Sequence, residues 1–256
     1  MNICIIGSGN ISTNLGFELK KLNFNINRIC SRNEITGKNL AKKLESDFTK
    51  NIVIPKKTDL VIIGVPDDQI QMVSKKIRSK AVIHTSGTKK INILKKCSNN
   101  YGVVWPIQTF SKKNVNFKKT PICIETNNKK FEKVLERIFI KSTKSIYNIN
   151  YETRKIIHLA AVFSCNFLNH LLYISNDLLE KEKIDFSILK PIIIETTRKA
   201  LNNNNIKNNQ TGPAIRKDFK TIEKHLRILS KTEKNKYIDI YKIITNSIIA
   251  SNESKL

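Results

Sequence analysis

Cysteine is sparse and unpatterned: Cys4, Cys30, Cys97, Cys123 and Cys165 lie far apart in a chain of 256 residues. An odd, scattered set excludes a disulfide framework and offers no metal-ligand spacing, so reduced thiols in a cytoplasmic protein are expected. The four histidines are equally dispersed, and no metal site is expected. A signal peptide is not expected either, because an Asn-Ile-Cys strand begins at once, without a basic n-region. No apolar stretch is expected to reach the length of a membrane span. Acidic residues are few, 21 against 46 Lys and Arg, giving a formal net charge of +25. Such a balance can mark a polyanion partner. Here arginines are scarce, lysines are spread along the whole chain, and no basic stripe interleaves with aromatics. Heavy use of Lys, Asn and Ile reads as compositional drift toward A and T, so a nucleic-acid partner is not expected. The charge still suits an anionic cofactor or an anionic small-molecule substrate.

What the chain does have starts at residue 2. An apolar strand, Asn2-Ile3-Cys4-Ile5-Ile6, runs into Gly7-Ser8-Gly9-Asn10, and an amphipathic segment opens at Ile11. Strand, glycine turn and helix in that order build a dinucleotide site. Gly7 permits the turn, and Gly9 lets a pyrophosphate approach the backbone. The helix N-terminus, with Asn10 and Ile11 in its first turn, supplies free N–H groups and positive dipole. Ser12 stands at the third fingerprint position, and Gly16, one turn on, relieves the helix–sheet contact. The second strand ends about 20 residues later, where a carboxylate would bind the ribose hydroxyls of NAD. Here Ser31-Arg32 stands instead. A forked guanidinium beside a hydroxyl suits the 2′-phosphate of NADP, with Glu34 expected to cap its own helix.

Strands are expected over 2–6, 27–31, 60–65, 81–85, 102–105 and 121–125. Helices are expected over 10–22, 34–45, 68–77, 90–97 and 129–140. This alternation predicts an α/β domain, residues 1–146, with a parallel sheet and helices on both faces. From about 151 the pattern becomes helical: 151–179, partly buried along most of its length, then 186–201, 216–230 and 234–250. Residues 145–150 are the expected hinge, 202–210 a polar loop, and 151–256 a second domain for substrate and dimerisation. A cleft between two such halves is the usual place for an active site.

Polar groups gather at the expected strand ends. Val65-Pro66 leads into Asp67-Asp68, which read as helix caps rather than catalytic acids. His84-Thr85-Ser86-Gly87 offers Thr85 and Ser86 as hydrogen-bonding groups for a carboxamide or substrate, and His84 as a possible proton donor. Trp105-Pro106-Ile107-Gln108-Thr109 offers an apolar wall and two polar groups, and Thr211 precedes a later helix. On the long helix His158, Val162, Asn166 and Asn169 fall near one face. His158 is the best proton donor by residue type, and Asn166 would orient a carbonyl or imine. Structural hydrogen bonding between helices is the plainer alternative for both.

These segments resemble a largely uncharacterised family of NADP oxidoreductases, which pair a Rossmann-like domain with a helical C-terminal domain of unknown function. The resemblance runs over nearly the whole chain. It rests on Gly7-Ser8-Gly9-Asn10, His84-Thr85-Ser86-Gly87, Pro106-Ile107-Gln108-Thr109-Phe110, the run from His158 to Asn166, and the run from Thr211 to Asp218. More distantly the chain resembles pyrroline-5-carboxylate reductase, ketopantoate reductase and the 3-hydroxyisobutyrate dehydrogenases, with a C-terminal domain like that of 6-phosphogluconate dehydrogenase. The resemblance implies a dimeric enzyme with NADP between its lobes, and His158 and Asn166 as site residues. Two departures limit the transfer of a mechanism. Trp105 stands where many relatives have histidine, and His158 and Asn166 are too far apart to copy the lysine–asparagine pair of the dehydrogenases. The reaction expected is hydride transfer between NADPH and a small carbonyl or imine, with Ser86 and Asn166 holding the substrate. A non-catalytic NADP-binding scaffold or sensor is the alternative; it would bind nucleotide without turnover.

Overall fold

The computed structural model describes residues 1–111, 115–203, 205–231 and 236–253. The strands are β1 (Asn2–Ile6), β2 (Asn25–Cys30), β3 (Asp47–Thr49), β4 (Leu60–Ile63), β5 (Val82–His84), β6 (Tyr101–Pro106), β7 (Ile122–Thr126) and β8 (Ile146–Asn148). The helices are α1 (Asn10–Lys21), α2 (Glu34–Leu44), α3 (Asp67–Ser74), α4 (Lys129–Phe139), α5 (Tyr151–Ala161), α6 (Leu168–Lys181), α7 (Lys190–Asn202), α8 (Phe219–Lys231) and α9 (Lys236–Glu253). The strands form one sheet in the order β3-β2-β1-β4-β5-β6-β7-β8. Every pairing is parallel except β6 with β7. Strand order reverses beside β1, which is the Rossmann-like arrangement and puts a crevice at the C-terminal strand ends.

Both faces of the sheet are covered. Ile3 and Ile5 of β1 point into one core with Leu15, Leu19 and Leu40, while Cys4 and Ile6 point into the other with Val61 and Ile70. Burial on both faces is why these strands read as continuous apolar runs rather than alternating ones. A third, smaller cluster joins Ile91, Val103, Trp105 and Cys123 to Ile157 of α5.

The chain divides into two compact units, residues 1–165 and 166–256. The expected hinge at 145–150 instead holds β8, paired with β7, and Asn150, whose side chain caps α5 by accepting from the Thr153 N–H. The expected helix over 90–97 is only a 3-10 turn, Ile91–Leu94. The helix expected from 186 is a 3-10 turn followed by α7, with Pro191 in its first turn, where a missing N–H costs nothing. α8 begins three residues late because Lys217 turns the chain at φ 53° and Asp218 caps the helix, accepting from the Thr221 N–H. Of the helix expected over 234–250, residues 234–235 lie outside the described residues, as does Asn204 of the expected loop.

The largest correction concerns the apolar helix. From Tyr151 to Lys181 it is continuous, with a π-helical segment Val162–Phe167 between α5 and α6. By length and composition alone it is long and apolar enough to cross a membrane, contrary to the expectation from the sequence. No residue of its apolar window is fully buried within this chain, although Ile157, His158, Val162, Leu172, Ile174 and Leu178 are partly buried, so the partial burial expected of it holds over only part of its length. Of the residues in α5 and α6 only Arg154 is buried.

Candidate functional site

The glycine turn is built as its chemistry requires. Gly7 has φ +113°, and a Cβ there would lie 2.3 Å from the Gly64 carbonyl oxygen, so only glycine fits. Ser12, at the third fingerprint position, is buried and donates its hydroxyl to that same carbonyl at 2.9 Å. A Cβ on Gly16 would lie 2.7 Å from Leu44, the close packing expected of that position. Gly9 is different: it is extended, at φ −75° and ψ −178°, and an added Cβ would meet no atom within 4 Å. The N-terminus of α1 has neither a side-chain cap nor an acidic residue in its first turn, which leaves its dipole available to an anion. Asn10 donates its amide to the Phe110 carbonyl at 3.0 Å, and Ile11 is half-buried. Asn14, which sequence reading missed, also ties the helix to this stretch by donating to the Ser111 carbonyl at 3.2 Å.

A cavity of about 700 Å³ opens in front of this turn. Gly7, Gly9, Ser31, Arg32, Val65 and Pro66 line it; Asn10, Ile11 and Thr85 do not. Lys50 and Lys76 also line it, and no carboxylate does. Neither lysine carries a local sequence signal, since each is one of many and reaches the site from a separate loop or helix end. Ser31 is buried, with its hydroxyl 2.7 Å from that of Ser8, which in turn is 2.6 Å from Thr36 Oγ1. Arg32 is exposed. Glu34 does not cap α2. Asn33 does, accepting from the Thr36 N–H at 3.0 Å, while Glu34 pairs with Lys38 and Lys50.

A second cluster follows β5. His84 is fully buried, and burial, reinforced by the positive charge of Arg154, lowers its pKa to about 3. Its Nδ1 accepts the Ser86 N–H at 3.1 Å, so it is a neutral structural imidazole and not a proton donor near neutral pH. Thr85 is buried behind the loop, its hydroxyl 3.5 Å from the Ile63 carbonyl. The Ser86 hydroxyl donates to Asp67 Oδ2 at 2.6 Å and accepts from the N–H groups of Thr88 and Lys89, both at 3.1 Å. One donor and two acceptor positions are thereby filled. The hydroxyl expected to hold substrate instead holds the loop. Asp67 also accepts from the Thr88 hydroxyl, so it bridges the first turn of α3 to this loop rather than capping its own helix. Because Pro66 lines the nucleotide-sized cavity and Asp67 grips Ser86, the two clusters are neighbours.

Arg154 anchors the second cluster from α5. It is fully buried, donates through Nη1 to the carbonyls of Ser86 and Lys89, each at 2.9 Å, and pairs through Nη2 with Glu125 at 2.6 Å. One turn further along the same helix, His158 is half-buried with its ring centroid 5.7 Å from that of Trp105. Gly87 makes room for both: a Cβ there would sit 2.6 Å from His158 Cδ2 and 2.9 Å from Trp105 Cε2. Trp105 is itself buried beside the His158 imidazole. Asn166 is exposed, in the π segment and within the second unit. Thr211 lines a separate cavity of about 340 Å³ inside that unit. Among the described residues no cluster of His, Cys, Asp or Glu is arranged to hold a metal.

Residues 120–248 match the model of a family described as a domain of unknown function, DUF2520. A Bacteroides fragilis protein provisionally designated an NADP oxidoreductase is 34% identical, with TM-score 0.89 over 97% of this chain and 98% of that one. A Thermotoga maritima protein is 22% identical, with TM-score 0.69 over 99% of each chain. A pyrroline-5-carboxylate reductase from Coxiella burnetii is 14% identical, with TM-score 0.56 over 99% of this chain and 97% of that one. At the lower identities the likeness is one of fold. It bears out the expected class, a Rossmann-like sheet domain followed by an all-helical domain of the 6-phosphogluconate dehydrogenase type. No curated protein sequence matches.

Proposed function

The chain belongs to the DUF2520 family, and from that premise we propose an NADP-dependent oxidoreductase acting on a small carbonyl or imine compound. The observation that carries this reading is the cavity before the glycine turn. Three cations and no carboxylate line it, and Gly9 leaves open the space a phosphate needs. The donor set fits NADP: Arg32, Lys50 and Lys76 suit the 2′-phosphate, Ser31 the ribose, and the α1 N-terminus the pyrophosphate. Val65 and Pro66 continue that wall toward the Ser86 loop. When bound, the nicotinamide supplies the hydride. His158 then donates a proton from a ring nitrogen to the developing oxygen or nitrogen anion. Trp105 keeps water from one side of that imidazole. Asn166 orients the polar end of the substrate, while Ser86 acts through the loop it holds. The 34% identical relative, designated an NADP oxidoreductase, supports the cofactor assignment.

A homodimer is part of the same proposal. Ile156, Leu159, Leu168 and Leu171, all between 36 and 59% exposed, form part of an apolar helix whose apolar window holds no fully buried residue. Asn166, Asn169 and His170 interrupt its apolar run, and polar groups of this kind are costly in a bilayer, which favours a protein partner. Free thiols suit a reducing, cytoplasmic setting. The second reading, a scaffold that binds NADP without turnover, draws on the filled hydrogen bonding of Ser86.

The test is titration with NADPH and NADH at low and high salt, repeated with Arg32→Ala. The expected outcome is saturable NADPH binding that survives salt. In the variant it weakens roughly tenfold or more, as loss of a charge-assisted hydrogen bond predicts, while NADH changes little. No saturable binding of either nucleotide overturns the assignment. Tight NADPH binding with no turnover across a carbonyl and imine screen selects the scaffold.

A further inference from the structure

We propose that Arg154 is the positioning residue for His158, setting the imidazole against Trp105 by pinning the Ser86–Lys89 loop to α5. A buried arginine is rare because desolvating its charge is expensive, and it persists only where geometry supplies partners. Arg154 has three: two loop carbonyls and Glu125 at the end of β7. These contacts span 68, 65 and 29 residues of sequence, so one side chain joins a loop, a strand and a helix. The planar guanidinium matters here. Its separate N–H groups reach the carbonyls and the carboxylate in fixed directions, which an ammonium does not reproduce. His158 lies four residues on, on the same face of the helix. The loop it must meet is held by the very carbonyls that Arg154 grips. Gly87, between them, leaves only enough room for the His158 and Trp105 rings. Movement of the loop therefore moves the surface on which the imidazole rests. Asp67 secures the other side of the loop through Ser86 and Thr88, while Arg154 supplies the hydrogen bonds that tie the loop carbonyls to α5.

The catalytic meaning of this rests on His158 being the proton-transferring group, but the readout does not. Trp105 is the only tryptophan in the chain, and a protonated imidazole beside an indole quenches its emission. The signal is the pH-dependent part of the fluorescence that His158→Gln removes. Arg154→Met is expected to lose most of that amplitude, Arg154→Lys to recover part of it, and Glu125→Gln, which keeps the hydrogen bond, to retain it. Should Arg154→Met not fold, Gly87→Ala tests the same surface with Arg154 intact, and it too is expected to lose the amplitude. Full amplitude in folded Arg154→Met or in Gly87→Ala overturns the proposal. NADPH binding in Arg154→Met reports separately on the oxidoreductase reading, because Arg154 does not line the nucleotide cavity.

Discussion

Two glycines two residues apart should respond differently to the same added methyl group. At Gly7 the backbone has φ +113°, and the new Cβ would lie 2.3 Å from the Gly64 carbonyl oxygen and 2.8 Å from its carbon. Both atoms belong to the backbone at the end of β4, so neither can rotate away. Strain in this region costs about 1–3 kcal/mol before the clash is added. For a unit of this size that lowers Tm by roughly 2–4 °C per kcal/mol. At Gly9 the backbone is already in a conformation alanine adopts, and the Cβ meets nothing within 4 Å. There the gain from a less free unfolded chain, about 0.4–1 kcal/mol, is opposed by the poorer N-cap that alanine makes on α1, so the net change in stability should be small. The methyl group would, however, occupy the space through which a pyrophosphate approaches α1. We expect Gly9→Ala to melt near the wild-type temperature while binding NADPH roughly tenfold or more weakly, a loss of at least about 1.4 kcal/mol. Calorimetric melting and isothermal titration on both variants provide the assay. If Gly9→Ala binds NADPH like the wild type, the turn is not a phosphate cradle. If it melts as low as Gly7→Ala, the reading of its open surroundings is wrong.

The buried His84 makes stability pH-dependent. Its pKa falls from 6.5 to about 3 on folding, so between those values the unfolded chain carries the extra proton. Stability should therefore be complete above about pH 6.5 and decline as the pH falls toward 3, and His84→Asn should flatten that part of the denaturant midpoint profile. An unchanged profile would place the titrating proton elsewhere. The exposed apolar helix predicts association: sedimentation at micromolar concentration should give a species of about twice 29.4 kDa, and Leu159→Glu should shift it toward the single chain. A wild-type chain that sediments singly would leave that face without a second copy to cover it.

Some of this protein was legible in its residues. The glycine turn could be read because Gly7 and Gly9 answer to local demands, one a positive φ and the other an open approach. Ser31-Arg32 could be placed at a strand end by counting from that turn. The strands of the sheet core stood out as apolar runs, whereas β3 and β8, three residues each, carried too little pattern to notice. His158 was singled out by residue type, but nothing in its spacing revealed Trp105 and Gly87 as its neighbours. Arg154 passed unnoticed because a charged residue every few positions is what an exposed helix face looks like.

Local order and its limits are what the sequence by itself determined: the βα alternation, the switch to helices near residue 151, and the position of the glycine turn. These depend on periodicity and on backbone preferences a few residues wide. Tertiary structure alone decided which loops meet. It brought Lys50 and Lys76 to the cavity of Gly9, filled the hydrogen bonding of Ser86 with Asp67, and turned β7 antiparallel to β6 so that Glu125 reaches Arg154. It also left the apolar window of the long helix without one fully buried residue. Periodicity records that a face is apolar; whether this chain or another covers it depends on what the rest of the fold brings against it.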